Sequence, residues 1–227
     1  MERGAHAMNA KSALAGILLP AVLLPVCASA LAAKPENGTV ISLRGGTLER
    51  LDKNAWREIA QGQKVGIGER LRTGKAAVAV IEMPDVGRFV MGPGSEIELG
   101  REPKDFTTKM NRGALWMQTA LPAGSRAAIS TPIAIAGVRG TAFSMVFGEG
   151  EKAVCACTCS GNIEVTSPDG RKVGVPKGEY VAIDAGQSVP AKAQASAPVL
   201  EKSGTVFDFC QACHVVGGKG KLKSDWK

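Results

Sequence analysis

From residue 38 to about residue 186, the chain is a series of short stretches in which apolar and polar residues alternate. Val40 to Leu43 opens the series. Ile97 and Leu99 alternate with Glu96 and Glu98, the pattern of a half-buried strand. Phe143, Met145 and Phe147 fall on one face of a strand, and Ala142, Ser144 and Val146 on the other. Ile163 and Val165 alternate with Asn162, Glu164 and Thr166, and Tyr180 to Ile183 closes the series. The stretch Ala76 to Ile81 is apolar on both faces, which predicts a central strand. Turn signals stand between the stretches: Arg44-Gly45-Gly46, Gly92-Pro93-Gly94, Pro122-Ala123-Gly124, Asp169-Gly170 and Pro176-Lys177-Gly178. Outside the N-terminal apolar run, no segment sustains a helical period. The pattern predicts an all-β fold, a sandwich or roll of short stacked strands, over residues 36–186.

The apolar run Ala13 to Val26 follows Lys11 and ends in Cys27-Ala28-Ser29-Ala30-Leu31-Ala32. One charge, a short apolar stretch and small alternate residues describe a secretory signal over 1–32, with cleavage after Ala30 or Ala32. Pro20 and Pro25 and the shortness of the run argue against a membrane span. The expectation is therefore export to the periplasm or cell envelope, where disulfides form. Composition agrees with a globular body: 44% hydrophobic and 22% charged residues. Aromatics are only 4%, so Val, Ile, Leu, Ala and Met must build the core. The net charge of +7 comes without a basic helix or aromatic stacking motif, so no nucleic-acid partner is expected.

Several motifs in order resemble the FecR domain. They are Trp56, Gly62, the run Gly68-Glu69-Arg70-Leu71-Arg72-Thr73-Gly74, and Met91-Gly92-Pro93-Gly94-Ser95-Glu96-Ile97. Thr131-Pro132, Val138-Arg139-Gly140-Thr141-Ala142-Phe143 and Gly161-Asn162-Ile163-Glu164-Val165 complete the set, and the resemblance covers 38–186. It implies a FecR-type β domain acting as an extracytoplasmic binding or scaffolding module. Its partner would be an envelope protein or glycan, or it would serve as a sensor related to FecR-type signalling. About a dozen residues precede the apolar run, too few for the regulators' cytoplasmic segment, so sigma-factor control is not carried over. The resemblance nominates no catalytic residue.

Arg139 either reaches a partner carboxylate or satisfies backbone carbonyls at a tight turn, where Gly137 and Gly140 would supply unusual backbone angles; the second reading is favoured. Cys155, Cys157 and Cys159 share one face of a strand. They read as a thiolate comb for a metal or redox pair, or, preferred, as small core side chains beside Phe143 and Met145. No Ser-His-Asp set assembles, and acidic pairs such as Glu102 with Asp105 sit in a polar loop, so no enzyme is expected.

From Gln187 to Gly204, Ala, Pro, Ser and Lys dominate, which predicts a linker. It leads into 205–227, with Phe207, Phe209 and then Cys210-Gln211-Ala212-Cys213-His214. Cys-x-x-Cys-His is the spacing of c-type haem attachment: two thiols bond the vinyl groups on one porphyrin edge, and the adjacent His becomes an axial iron ligand. The expectation is haem c on Cys210, Cys213 and His214, used for electron transfer with a redox partner or for haem-based sensing. A Cys210–Cys213 disulfide and a zinc half-site remain alternatives. A sixth ligand would come from Met83, Met91, Met110, Met117 or Met145, or from a Lys, a water or a partner. Lys219, Lys221, Lys223 and Lys227 form a basic terminus, read as a solvated tail or as steering toward an acidic partner or anionic envelope surface.

Overall fold

A computed structural model describes residues 38–195 apart from 139, 149 and 151. In chain order the strands are β1 (Gly38–Arg44), β2 (Leu48–Asp52), β3 (Ala55–Ile59), β4 (Lys64–Val65), β5 (Arg70–Thr73) and β6 (Val78–Met83). β7 (Gly87–Met91), β8 (Glu96–Glu98), β9 (Asp105–Thr119), β10 (Arg126–Ser130), β11 (Ile135–Val138) and β12 (Ala142–Gly148) follow. β13 (Ala153–Ser160), β14 (Asn162–Thr166), β15 (Lys172–Pro176), β16 (Glu179–Asp184) and β17 (Gln194–Ala195) complete the set. The all-β expectation holds. Among the described residues no helix is long and apolar enough to cross a membrane.

Two sheets share one strand. Sheet I runs β4-β1-β6-β7-β9-β12-β13-β16-β17. Sheet II runs β3-β2-β5-β8-β9-β10-β11-β14-β15. Every pairing is antiparallel except β9 with β10. The N-terminal part of β9 pairs within sheet II and its C-terminal part within sheet I.

The crossing has a local cause. Glu96 pairs with Arg112 and Ile97 with Met110, so Asn111 is an extra residue and β9 bulges there. One extra residue reverses which side chains face inward. Phe106 and Met110 enter the core before the bulge, and Leu115 and Met117 after it. Gly113 then takes a φ of 92°, in the region that favours glycine. A buried polar knot holds the bend. Ser95 Oγ lies 2.8 Å from Gly92 O and 2.9 Å from Ala114 O, donating to one, and accepts the Ala114 N–H at 2.9 Å. Thr73 Oγ1 donates to Gly92 O at 2.6 Å and accepts the Ser95 N–H at 2.9 Å. These bonds give buried backbone groups at the bend side-chain partners, and Ala114 O also accepts the Gly92 N–H at 2.8 Å.

Other residues of the FecR-like motifs also hold turns. Thr131 Oγ1 accepts the Ala134 N–H at 3.0 Å across the β10–β11 turn. Thr141 N–H donates to Thr119 Oγ1 at 3.0 Å, tying the start of β12 to the end of β9. These motifs are architectural.

The core fills the space between the inner faces. Sheet I contributes Val40, Ile81, Phe89, Leu115, Phe143, Met145 and Ile183; sheet II contributes Leu48, Leu71, Ile97, Phe106, Ile129, Ile163 and Val175. The Phe89 and Phe106 ring centroids are 5.6 Å apart, joining the two layers. β6 lies between β1 and β7 with Ala79, Val80 and Ile81 buried, as the doubly apolar stretch predicts.

Residues 187–195, linker by composition, take part in the fold. Val189 is buried in the core, and Gln194 and Ala195 pair with Tyr180 and Glu179. Asp169 pins this segment: its carboxylate accepts from the Ser167 and Ser188 hydroxyls and from Arg171. Those hydrogen bonds, Ser167 foremost, hold the carboxyl far below the usual range.

Candidate functional site: the open groove on sheet II

The outer face of sheet II is open, and its strand composition explains why. Successive cross-strand partners Thr107, Ala128, Gly137, Glu164 and Gly174 form one row over β9, β10, β11, β14 and β15. The small side chains of Thr107 and Ala128 and the bare Gly137 leave a groove of about 770 Å³. Its rims carry Asp105 with Arg126 at one end, and Ile135, Thr166 and Lys172 at the other. Gly137 lies at the centre of the floor, and a Cβ built there meets nothing within 4 Å. Its φ is not positive, unlike that of Gly140 at 72°. The sequence reading that gave Gly137 an unusual backbone angle is corrected: Gly137 is extended backbone in a strand, and its missing side chain opens the floor.

The groove's charges are matched. Arg126 pairs with Asp105, and that hydrogen bond holds the Asp105 carboxyl below its usual range. Lys172 Nζ donates to Glu164 Oε1 at 2.8 Å. Ile135 is 45% exposed, a large apolar side chain offered to solvent at the rim.

The same face continues across β9 as a ladder of charge. Glu49, Arg72, Glu96 and Arg112 are successive partners over β2, β5, β8 and β9. Arg72 bonds Glu49 through two nitrogens at 2.6 and 3.0 Å, and its guanidinium lies 4.3 Å from the Trp56 ring centroid. Burial alone would raise the Glu96 carboxyl, but hydrogen bonds from Arg70 and Asn111 and the Arg112 charge hold it below the usual range. Partly exposed pairs of this kind contribute roughly 0–1 kcal/mol each.

The residues singled out from the sequence separate into three groups. Cys210, Cys213 and His214 lie outside the described residues, as do Arg139 and the Lys219, Lys221, Lys223 and Lys227 tail. Met83, Met91, Met110, Met117 and Met145 are all packed between the sheets, each at most 1% exposed. None can offer its thioether to an iron at the surface without unpacking the core, which removes these five as sixth ligands. Cys155, Cys157 and Cys159 are buried, but on the opposite face from the expected one. Phe143 and Met145 pair with Thr158 and Ala156, whereas Val146 and Ser144 pair with Cys155 and Cys157. The strand register therefore sends the sulfurs outward from the main core, beside Ser144 and Val146. Burial pushes the Cys155 thiol well up, with the neighbouring Cys157 adding to it, so Cys155 is a poor nucleophile. Among the described residues no group of three His, Cys, Asp or Glu side chains is placed to hold a metal.

The groove itself was missed at the level of sequence. Its one signal is the side-chain-free Gly137 inside the otherwise apolar stretch Ile135–Val138.

No curated protein shows significant similarity to the chain. Two crystal structures of a protein designated an anti-sigma factor from Parabacteroides distasonis share the fold, each with a TM-score of 0.50 and 14% identity. They match over 60% of this chain, and the match spans 64% and 65% of their own length. Residues 69–164, from the loop before β5 into β14, match the family profile described as FecR protein.

Proposed function

We propose that the chain is a non-enzymatic FecR-type sensing or scaffolding module of the cell envelope, exported behind residues 1–32, that binds an extended segment of another envelope protein along the sheet II groove. The observation that carries this reading is the open, side-chain-free floor at Gly137 between charge-paired rims. The FecR-type match and the fold shared with a protein designated an anti-sigma factor support a role in envelope signalling over one in catalysis. The groove chemistry favours protein over glycan. Sugar rings are commonly held against aromatic plates, and among the described residues no aromatic side chain lines the groove. Its carboxylates Asp105 and Glu164 already have cationic partners. An extended peptide needs a small-residue floor, an apolar contact such as Ile135, and rim charges that can exchange partners.

A photoactivatable residue at Ala128, introduced in cells that export the protein, is expected to form an adduct with one envelope protein. A Cβ at Gly137 meets nothing within 4 Å, so Gly137→Trp should fill the floor from an unstrained position, and the adduct should disappear while the melting temperature stays within about 3 °C of wild type. Equal adduct yield in the Gly137→Trp protein would overturn groove binding.

The Cys210-x-x-Cys213-His214 sequence supports a second reading, in which this module also carries a covalent c-type haem. Cys210 and Cys213 would hold the porphyrin edge and His214 the iron; the bound group would supply one-electron chemistry or a sensing function. The buried methionines leave the sixth position to a Lys, a water or a partner side chain. Protein matured in a host with c-type haem machinery should keep its Soret band through acid–acetone extraction and gain the mass of one haem. Met83→Leu and Met145→Leu should leave that spectrum unchanged. A colourless chain without the added mass would eliminate the haem and leave a Cys210–Cys213 disulfide or a zinc half-site.

A further inference from the structure

Beside the groove floor, on the same outer face of sheet II, runs a second row of cross-strand partners: Lys109 on β9, Ser130 on β10, Ile135 on β11, Thr166 on β14 and Lys172 on β15. The adjoining positions Ile129, Ala136, Val165 and Val173 are buried in the core, so alternation turns this row outward. Lys109, Ile135 and Lys172 are exposed. They stand on every second strand of the row, with Ser130 and Thr166 between them. Adjacent strands lie about 4.8 Å apart, so cation, apolar side chain and cation recur at about 9.6 Å. Both cations have donors to offer. Lys109 has no carboxylate partner among the described residues, and Glu98, its neighbour across β8, bonds Arg101 at 3.1 and 2.8 Å instead. Lys172 Nζ gives one of its three donors to Glu164.

We propose that the groove takes a polyproline II segment of its protein partner in which an acidic, an apolar and an acidic residue stand three apart. The inference rests on the groove reading given above and adds the chemistry of the occupant. A polyproline II helix has three residues per turn and rises about 3.1 Å per residue, so side chains i, i+3 and i+6 leave one face about 9.3 Å apart. Over the whole row the two periods differ by only about 0.6 Å. The end carboxylates then meet Lys109 and Lys172 while the central side chain packs on Ile135. A second face of the same helix lies over the floor at Ala128 and Gly137, where Ala and Pro fit. A β-strand in the groove would offer one face at about 6.6–6.8 Å, out of step with the row from its first repeat. Polyproline II also makes no internal hydrogen bonds, which leaves its peptide groups free to bond the Ser130 and Thr166 hydroxyls between the charged positions.

The test titrates isotope-labelled protein, recovered from exporting cells, with three synthetic peptides and follows the amide shifts by NMR. Pro-Asp-Ala-Pro-Leu-Ala-Pro-Asp-Pro carries the proposed spacing. Pro-Ala-Asp-Pro-Leu-Pro-Asp-Ala-Pro has the same composition with each acid two residues from Leu, the spacing of a strand. The third peptide is the first with both Asp replaced by Lys. The first should bind at least about ten-fold tighter than either of the others and shift the Ile135 and Gly137 amides. Lys109→Glu and Lys172→Glu, both at exposed positions, should each weaken it about five-fold. Replacing one Asp of the first peptide by Lys should then restore binding to one of these variants and not to the other, which fixes the direction of the segment. Equal affinity for the first two peptides, tighter binding of the Lys peptide, shifts confined to residues outside the groove, or no binding of any peptide at millimolar concentration would each overturn the proposal. The groove reading is judged separately by the Ala128 adduct: an adduct lost in Gly137→Trp upholds it whatever the peptides do, and one that survives Gly137→Trp refutes it.

Discussion

Replacing Gly113 by Val should cost about 3–5 kcal/mol, enough to leave much of the protein unfolded at 37 °C. Two terms add. A φ of 92° is unfavourable for any side chain and worst for a β-branched one. A Cβ at this position would also lie 2.4 Å from both the Cα and the Oγ of Ser95. Ser95 cannot retreat, because its hydroxyl and amide are held by Gly92, Ala114 and Thr73 in the knot beneath the bend. Gly137→Val is the matched comparison. Its φ is not positive and its Cβ meets nothing, so the same change should be neutral or stabilise by up to about 1 kcal/mol in a strand. Urea midpoints followed by far-UV circular dichroism check both, and Gly113→Ala supplies an intermediate if the Val protein does not fold. Equal midpoints for Gly113→Val and Gly137→Val would refute the account of the bend.

Trp116→Ala should cost about 3–5 kcal/mol, the range for a large aromatic side chain removed from a packed site. The outer face of a sheet would not ordinarily give so large a value, and a change within about 0.5 kcal/mol would mean that the face is solvated. Trp116→Phe should cost no more than about 1.5 kcal/mol. The indole N–H has no acceptor, so its removal breaks no hydrogen bond and takes away a buried unsatisfied donor. Denaturation of both variants in the full chain checks the difference between them.

The strands that could be read from the sequence are those with one face on the core and the other in water. β8 and β14 alternate cleanly for this reason, and the three β13 cysteines were rightly placed on one face. Which face they took depends on the pairing of Val146 with Cys155, a fact of register that lies between strands. β9 was not legible. Its alternation breaks at Asn111 and resumes in the opposite phase, and Asn111-Arg112-Gly113 has the composition of a turn. The groove was hidden for a similar reason, because its floor gathers one small residue from each of several strands. The thioethers of the five methionines illustrate the converse: each was chemically eligible as a ligand, and only burial removes them.

The position of β9 has a consequence for the order of assembly. In both sheets, every strand on one side of β9 precedes it in the chain, and every strand on the other side follows it. β1 to β8 can therefore pair among themselves as a small two-layered body while the rest of the polypeptide is still emerging. That nascent half ends in two unpaired borders, β7 in one layer and β8 in the other, each a template for a foreign strand. A single 15-residue strand closes both at once and exposes the borders on which β10 and β12 add. Vectorial emergence, N-terminus first, thus carries the open borders of both layers forward onto β9, where they persist until β10 and β12 have added.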